Sequence, residues 1–146
     1  MPRRIVAPYE QFFLSLTAVH ARVHRLAEAI LLRSGITVAE YTLLRIVENT
    51  PGITAAQARR RLFATAPSIA QLVSHMEAKR LVRRVRDRID ARKLHLQLTP
   101  IGQRAVRRGK SSLERLIGSL PLPSRTWNRL TADLEHLLSS LPSHGT

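Results

Sequence analysis

The sequence predicts a mainly α-helical fold with one small β-hairpin, that is, an α+β protein. Apolar residues recur at steps of three and four over most of the chain, as they do on one face of a helix. Thr, Ser, Pro and Gly separate these segments at places suited to helix ends. Between residues 82 and 98 the pattern alternates instead, and alternation is typical of strands.

Length and composition favour one folded domain. The chain has 146 residues, of which 44% are hydrophobic and 23% charged, as in globular proteins. No apolar run approaches the roughly 18 residues of a membrane-spanning helix. Residues 1–8 lack the apolar segment of a signal peptide. We therefore expect a cytoplasmic protein that does not enter a membrane.

The residue types exclude several kinds of chemistry. Without cysteine the chain can form no disulfide, no Cys-ligated zinc or iron–sulfur site, and no thiol nucleophile or redox sensor. It has no glycine-rich phosphate loop, and its six His are scattered without the pattern of a catalytic triad. We therefore predict that the protein is not an enzyme and that it uses no cofactor, no metal and no catalytic residue.

Positive charge is concentrated in the middle of the chain. Between Thr54 and Lys110 there are fifteen Lys and Arg and only three Asp and Glu, whereas the rest of the chain has nine and seven. Such a polycationic segment indicates a polyanionic partner. A generally basic proteome and an acidic membrane surface are the alternatives, but a uniform bias would have charged the flanks as well. The distribution favours nucleic acid.

Residues 10–34 predict a long amphipathic helix that ends before Gly35. Its apolar stripe consists of Phe12, Leu16, Val19, Val23, Leu26, Ala27 and Ile30. Four further apolar residues lie off this stripe or at its edge, and they are Phe13, Leu14, Leu31 and Leu32. This is more apolar surface than one helix needs to dock on a small core, so we expect a second partner for it.

Two capping boxes mark the next two helices. In Thr37-Val-Ala-Glu40 and in Thr54-Ala-Ala-Gln57, the hydroxyl can accept from the amide three residues later, and the longer side chain can reach back. Between the two helices, residues 49–52 favour a turn.

A fourth helix is expected to begin after Thr65, a good N-cap, with Pro67 in its first turn. Its apolar positions share one face and are Ile69, Leu72, Val73 and Met76. The opposite face and the exposed start carry Thr65, Ala66, Ser68, Gln71 and His75. A slim polar face with almost no acid suits a helix that reads base edges in a major groove. An ordinary solvated helix face would show the same pattern.

Residues 82–86 and 94–98 predict the two strands of a hairpin. Its tip, residues 87–93, holds five charged residues in seven. Beside a groove-reading helix, an arginine of this tip can enter a minor groove, and Asp90 can orient Arg92 for that contact. A charged tip that only keeps the hairpin soluble is the alternative.

Thr99 and Pro100 open another helix, which ends at Pro121, and Ser124 is expected to cap a last helix. The last helix carries an apolar seam of Trp127, Leu130, Leu134, Leu137, Leu138 and Leu141. We expect residues 142–146 to form a loose tail.

The order of these elements and two sequence runs resemble the MarR family of bacterial and archaeal transcription regulators. Residues 81–102, which contain Asp90-Ala-Arg92 and Leu98-Thr-Pro-Ile-Gly102, are similar to the wing of that family and to the Leu-Thr-x-x-Gly opening of its next helix. Residues 68–79 are similar to its recognition helix. Arg80 stands where the family usually has a helix-ending Gly.

The resemblance implies a winged helix-turn-helix lobe, residues 37–99, within a single domain of residues 1–146. Residues 10–34 and 100–141 would be the dimerisation helices of a homodimer. Its two reader helices would meet successive major grooves of a pseudo-palindromic operator in double-stranded DNA, about 34–36 Å apart. The implied function is a sequence-specific regulator, a repressor, whose DNA affinity changes when a small phenolic or anionic effector binds.

The predicted DNA-binding residues lie on the polar helix face and on the wing. The resemblance places Thr65, Ser68 and Gln71 at exposed early positions of the reader helix, and it places Asp90 and Arg92 at the wing tip. The full predicted set is Thr65, Ser68, Gln71, His75, Arg83, Arg84, Arg88, Asp90, Arg92 and Lys93.

Two residue pairs are candidates for an effector pocket. Tyr41 and Arg45 lie one turn apart and could line a site for a phenol or an anion, although a Tyr on a core face usually only packs. His20 and His24 form the second pair, and together with Glu28 they have the spacing of metal ligands on one helix. For these three we favour a polar row that faces solvent or a second copy of the chain.

A second functional interpretation keeps the polycation and drops sequence selectivity. The protein would then be an architectural winged-helix protein that binds DNA or RNA without sequence preference. In that case random duplex or structured RNA would compete as well as any promoter fragment.

Overall fold

The computed structural model describes residues 8–142. Within that range the helices are α1 Pro8–Leu32, α2 Val38–Asn49, α3 Ala55–Leu62, α4 Ala66–Ala78, α5 Pro100–Gly118 and α6 Ser124–Ser140, and the strands are β1 Val82–Arg86 and β2 Leu94–Leu98. The predicted mainly helical fold with one small hairpin is therefore confirmed. Two parts of the sequence predictions lie outside the described residues: residues 1–7 of the N-terminal segment and residues 143–146 of the expected tail.

The chain divides into two compact units, Met1–Glu114 and Arg115–Thr146. The first unit holds the elements from α1 to most of α5, and the second holds the end of α5 and α6. Among the described helices, none combines the length and the apolar character that crossing a bilayer requires.

One hydrophobic core holds the first unit together. Its largest fully buried apolar side chains are Leu31, Ile36, Leu43, Leu44, Ile53, Val73, Met76, Leu96 and Val106. Burial of each such side chain contributes about 1.5–3 kcal/mol. The backbone of β2 is tied to the same core, because the Leu96 amide donates to the Ile53 carbonyl at 2.8 Å. The helix-turn-helix and the hairpin therefore form one body.

The helix starts follow from the local sequence. The Thr37 hydroxyl accepts from the Glu40 amide at 3.1 Å, and the Glu40 carboxylate accepts from the Thr37 amide at 2.8 Å. Thr54 and Gln57 form the same reciprocal pair at the start of α3. These contacts confirm both predicted capping boxes.

The start of α6 differs from the prediction. Ser124 is the first residue of the helix, and Pro123 occupies the cap position with φ −63° and ψ 150°. No side chain caps this helix by a hydrogen bond. The expectation that Ser124 caps α6 is therefore wrong, because the chain turns into helical geometry one residue earlier than a Ser124 cap requires.

The apolar stripe of α1 is exposed over most of its length. Of the described residues in α1, only Ala27 and Leu31 are buried, and Leu31 was expected beside the stripe. The stripe residues Val19 and Leu26 remain 58% and 52% exposed. Only the last turns of α1 therefore dock on the core, and the surplus apolar surface predicted from the sequence is present.

The second unit exposes its apolar seam in the same way. No residue of α6 is buried. Leu130, Leu134 and Leu138 are 41%, 51% and 53% exposed. Residues spaced by four lie on one side of a helix, so these leucines form a continuous apolar strip.

Candidate nucleic-acid interface

The polar helix predicted from residues 65 onwards is α4, and its first turn is closed by two of the predicted site residues. Thr65 is the N-cap, and its hydroxyl oxygen accepts from the Ser68 amide at 3.3 Å. The same hydroxyl donates to the Ser68 hydroxyl at 2.8 Å. Pro67 lies in the first turn, where its missing amide hydrogen costs little. The cap thus fixes where both hydroxyls stand at the exposed end of α4.

The two faces of α4 separate as the sequence predicts. Ile69, Val73 and Met76 are buried against the core. Ser68 and Gln71 are exposed, as are the remaining predicted reader residues Thr65 and His75. Since exposed polar side chains on a helix anchored by its opposite face can reach base edges, this face has the form that major-groove reading requires.

A buried carboxylate ties the end of α4 to the start of α2. Glu40 is 1% exposed, and both of its oxygens lie near the Lys79 ammonium, at 2.8 and 2.9 Å. His75 Nε2 lies 3.2 Å from the same carboxylate. Lys79 also donates to the Gly35 carbonyl at 2.8 Å. His75, a predicted reader, is therefore partly held by Glu40, although 63% of its side chain is exposed.

Sequence reasoning missed this role of Glu40. The capping box predicts only its contact with Thr37, three residues away. The contact with Lys79 spans 39 residues and depends on how the two helices pack. A local pattern holds no signal for such a pair.

A shallow groove runs beside the exposed face of α4. Its volume is about 490 Å³. The residues that line it are Ala39, Leu62, Ala64, Ser68, Ile69, Gln71, Leu72 and His75. Gln71 and His75 stand at this groove, so the predicted readers border an apolar surface and not only solvent.

The end of α4 departs from the usual form of the family it resembles. Arg80 adopts a left-handed backbone with φ 57°, at the place where the resemblance implies a Gly. A non-glycine residue in this conformation costs about 1 kcal/mol. The turn is held because the Arg80 amide donates to the Glu77 carbonyl and the Leu81 amide donates to the Met76 carbonyl, both at 2.9 Å.

The Thr-x-x-Gly opening of α5 has a steric cause. The Gly102 amide donates to the Thr99 hydroxyl oxygen at 3.0 Å, which caps α5 as predicted. A Cβ at Gly102 would stand only 2.0 Å from the Leu81 carbonyl oxygen. The missing side chain therefore lets the start of α5 lie against the start of β1, which fixes the hairpin relative to the core.

The hairpin register sends two of the predicted DNA-binding arginines to opposite faces of the hairpin. Arg83 pairs with Gln97 and Arg84 with Leu96, and neighbouring residues in a strand point to opposite faces. Arg83 donates to the Gln97 side chain at 3.1 Å, and Arg84 donates to the Glu77 carboxylate at 2.5 Å. The alternating pattern of the strand already implies that Arg83 and Arg84, as neighbours, point to opposite faces and do not share one DNA contact surface.

The hairpin tip is a structured turn built around Asp87. One Asp87 oxygen accepts from the amides of Ile89 and Asp90 at 2.7 and 2.8 Å. Its other oxygen lies 2.5 Å from His95 Nε2 on β2. The Asp90 amide, the His95 ring and the Ile89 amide together hold the pKa of the Asp87 carboxyl below its usual range. Asp87 and His95 were not among the predicted site residues.

Asp90 contacts Arg92 as the sequence suggested. The Asp90 carboxylate accepts from the Arg92 amide at 3.1 Å and lies 3.4 Å from Arg92 Nε. The Arg92 side chain is nevertheless 95% exposed. The other exposed basic residues of the tip are Arg88 and Lys93. The tip therefore presents three cations outward from a fixed backbone.

The candidate effector residues line neither of the two cavities described beside the lobe. One of these cavities lies beside α4, and the other lies between Glu77, Arg83 and Thr99. Tyr41 packs over Gly109, where a Cβ would stand 2.8 Å from its ring, and burial raises the pKa of its phenol. Arg45 is paired with Glu48. Tyr41 thus has the packing role that its place on a core face allowed.

The three residues with metal-ligand spacing are used in other ways. His20 and His24 are exposed, and their rings lie 5.8 Å apart. The Glu28 carboxylate accepts from the Val38 amide at 2.8 Å, which satisfies the first turn of α2. Within residues 8–142, no three acidic or imidazole side chains are grouped as metal ligands would be.

Comparison with known proteins agrees with this architecture. CouR from Rhodococcus jostii RHA1, bound to p-coumaroyl-CoA, is 20% identical with a TM-score of 0.81, over 93% of this chain and 97% of that one. S. aureus MepR in a DNA complex is 22% identical with a TM-score of 0.75, over 96% and 100%. PcaV from Streptomyces coelicolor, in complex with its natural ligand, is 21% identical with a TM-score of 0.69, over 96% and 97%.

The sequence comparisons place the match in the lobe. No curated protein matches the chain. The model that describes the MarR family matches residues 34–93, which run from just after α1 to the tip of the hairpin. The resemblance to the MarR family that was read from the sequence is therefore confirmed, and the match lies in the winged helix-turn-helix lobe.

Proposed function

We propose that the protein is a dimeric, sequence-specific DNA-binding transcription regulator, a repressor whose DNA affinity is modulated by a small-molecule effector. Helix α4 enters the major groove, and the wing, which is β1, β2 and the tip between them, follows the adjacent minor groove. Its function is binding and not catalysis, and its place of action is the cytoplasm, where the DNA is.

One observation carries the proposal: each of the three acids of the basic segment is engaged by a contact within the chain. Only three acids occur between Thr54 and Lys110. Glu77 is paired with Arg84, Asp87 is held by His95 and two amides, and Asp90 contacts Arg92. The partners offset the negative charge of these carboxylates, so the excess of cations in the segment favours binding to phosphates.

The polar face of α4 supports sequence reading rather than charge attraction alone. Thr65, Ser68 and Gln71 carry no charge, so their contacts with DNA gain little from phosphate attraction. Hydroxyl and amide groups match the donors and acceptors of base edges in the major groove. Six of the fifteen Lys and Arg of the basic segment stand on the wing instead, so the lobe separates a reading surface from an anchoring surface.

The exposed apolar faces of α1 and α6 support a homodimer. We assign residues 10–34 and 100–141 to the dimer interface and residues 37–99 to the DNA-binding lobe, within one domain of residues 1–146. Side chains such as Val19 and Leu134, which are more than half exposed, are unsuited to contact with water. A two-fold dimer presents two reader helices and accounts for a pseudo-palindromic operator.

The effector part of the proposal rests on the structural neighbours. CouR and PcaV, which share the fold, are described with p-coumaroyl-CoA and with a natural ligand. We therefore propose a phenolic or anionic effector here as well, with Tyr41, Arg45, His20 and His24 as candidate contacts in the assembled dimer. The first probe is p-coumaroyl-CoA, and release of bound duplex is the readout.

Selection of genomic fragments at physiological salt tests the proposed function. The purified protein is mixed with a fragment library, bound fragments are sequenced, and random duplex and structured RNA serve as competitors. The expected result is a recurring site with two half-sites about 10 base pairs apart, against which random duplex competes only at about 10³-fold excess or more. Equal competition by random duplex or RNA would favour the architectural interpretation instead.

A further inference from the structure

Ile89, at the apex of the wing tip, is the most exposed large apolar side chain in the described part of the chain. It is 99% exposed, so its side chain makes essentially no contact with the protein. A branched aliphatic side chain in this place does nothing for the fold. Its neighbours on the tip are charged, and a polar residue would serve solubility better.

The turn presents Ile89 in a fixed position. The Ile89 amide donates to Asp87 at 2.7 Å, and the Asp87 amide donates to the Lys93 carbonyl at 2.9 Å. The Lys93 amide in turn donates to the Asp90 carbonyl at 2.9 Å. Because these bonds hold the backbone on both sides of residue 89, the backbone of the tip loses little freedom when Ile89 meets a partner.

The charges around Ile89 indicate the partner. Arg88 lies next to it and Arg92 three residues later, and both are exposed. The nearby carboxylates, Asp87 and Asp90, are held by contacts within the turn. An apolar side chain between cations fits a polyanion with an apolar recess, and the minor groove of DNA is a recess of this kind, since apolar residues are known to enter it between base steps.

We infer that Ile89 is a specificity residue that enters the minor groove beneath the wing and disfavours G·C base pairs there. In that groove A·T and T·A pairs present only acceptors, whereas a G·C pair adds the 2-amino group of guanine. Ile89 has no atom that can accept from this group. Pressed against it, the side chain would displace water from a donor and leave the donor unpaired, which is unfavourable. The inference rests on the proposed function.

The test compares three base pairs at one position. Hydroxyl-radical protection on the duplex recovered by the genomic selection locates the base pairs beneath the wing. These are replaced by A·T, G·C or inosine·C, which lacks the 2-amino group, and binding is measured for the wild type, Ile89→Ala and Ile89→Leu. The wild type is expected to bind the A·T and inosine duplexes alike and the G·C duplex about tenfold more weakly.

The variants separate Ile89 from its charged neighbours. Ile89→Ala should reduce the preference against G·C to about twofold and leave the salt dependence unchanged, because no phosphate contact is lost. Ile89→Leu should retain the preference. Arg92→Ala is the matched comparison, since loss of a cation should weaken binding to every duplex. Circular dichroism of Ile89→Ala should be unchanged, as the side chain packs against nothing.

Two results would overturn the inference alone. One is the same discrimination against the G·C duplex in the wild type and in Ile89→Ala, when both proteins bind the A·T duplex normally. The other is a loss of binding to anionic phosphatidylserine vesicles in Ile89→Ala together with unchanged DNA binding, which would assign the residue to a membrane surface. If the genomic selection recovers no preferred duplex, the proposed function fails, and the inference fails with it.

Discussion

The lobe and the outer helices both carry apolar stripes at helical spacing, but only the lobe covers its own. Leu43, Leu44 and Val73 have no exposed surface, whereas Phe12 and Val19 are 51% and 58% exposed. The difference lies in what each stripe meets within one chain. The lobe closes around a shared core, and α1 reaches that core only with its last turns. Apolar periodicity therefore identifies a face that needs a partner, and packing decides whether the same chain provides it.

The largest expected effect concerns the close approach that holds the lobe together. Gly102→Ala places a Cβ against the Leu81 carbonyl oxygen, which is backbone and cannot turn away. We expect a loss of about 3 kcal/mol in the free energy of unfolding, measured by urea denaturation. Gly118→Ala, on the same helix with nothing within 4 Å, is the control and should be neutral or stabilising by up to about 1 kcal/mol. Similar losses in both variants would contradict the steric explanation.

The second prediction concerns the outer helices. Val19→Glu places a charge in the exposed stripe of α1 and should weaken dimerisation about 100-fold, because a carboxylate would be buried at the interface. Sedimentation equilibrium measures the dimer dissociation constant. Ala21→Glu is the control, since residue 21 lies two positions from Val19 and therefore on the other side of the helix. If both variants dimerise like the wild type, this stripe is not the interface.

The third prediction compares two carboxylates within the lobe. Glu40→Gln removes the charge that faces Lys79 and should cost about 2 kcal/mol of stability, since Lys79 is partly open to water and is not left fully uncompensated. Glu48→Gln breaks the exposed pair with Arg45 and should cost less than about 0.5 kcal/mol. Thermal unfolding of both variants measures the difference. Equal losses of stability in the two variants would mean that the buried Glu40–Lys79 pair stabilises the fold no more than the exposed Glu48–Arg45 pair does.

The fourth prediction separates reading from anchoring. Gln71→Ala should weaken binding to the selected duplex about tenfold and leave binding to random duplex nearly unchanged. Arg83→Ala should weaken both alike and reduce the slope of log affinity against log salt concentration by about 1. Fluorescence anisotropy over a range of salt concentrations distinguishes the two. A uniform loss in Gln71→Ala would contradict base reading by α4.

The features that the sequence predicted are those that local chemistry determines. A capping box needs residues three apart, so the starts of α2 and α3 could be read directly. Strand alternation gave the hairpin, and the two faces of α4 followed from helical spacing. Even here the local signal has a limit. Ser124 is a good cap residue by type, but it is the first residue within α6, and Pro123 occupies the cap position.

What the sequence could not predict depends on contacts between distant residues. Glu28 reaches the amide of Val38, and Glu40 reaches Lys79, through the packing of helices that no short pattern encodes. The partner of α1 is a further case, since the periodicity of its apolar residues predicts a stripe but does not show which surface packs against that stripe. In the wing, the spacing of Asp90 and Arg92 was informative, while the contact of Asp87 with His95 depends on the pairing of β1 with β2.

The smallest expected effect tests the wing tip by pH. The pKa of Asp87 is lowered by the Asp90 amide, by His95 and by the Ile89 amide, so ionised Asp87 stabilises the folded turn. This stabilisation is present above the ordinary Asp pKa of about 4 and is lost as the pH falls through the lower pKa of the folded state. The backbone amide resonances of Ile89 and Asp90 should therefore titrate with a midpoint below about pH 4. In Asp87→Asn this titration should disappear while the resonances of the lobe core keep their positions, because the change is confined to the turn. A midpoint at the ordinary Asp value would mean that these amides do not hold the carboxylate in solution, and the fixed presentation of Ile89 and Arg92 would lose its physical basis.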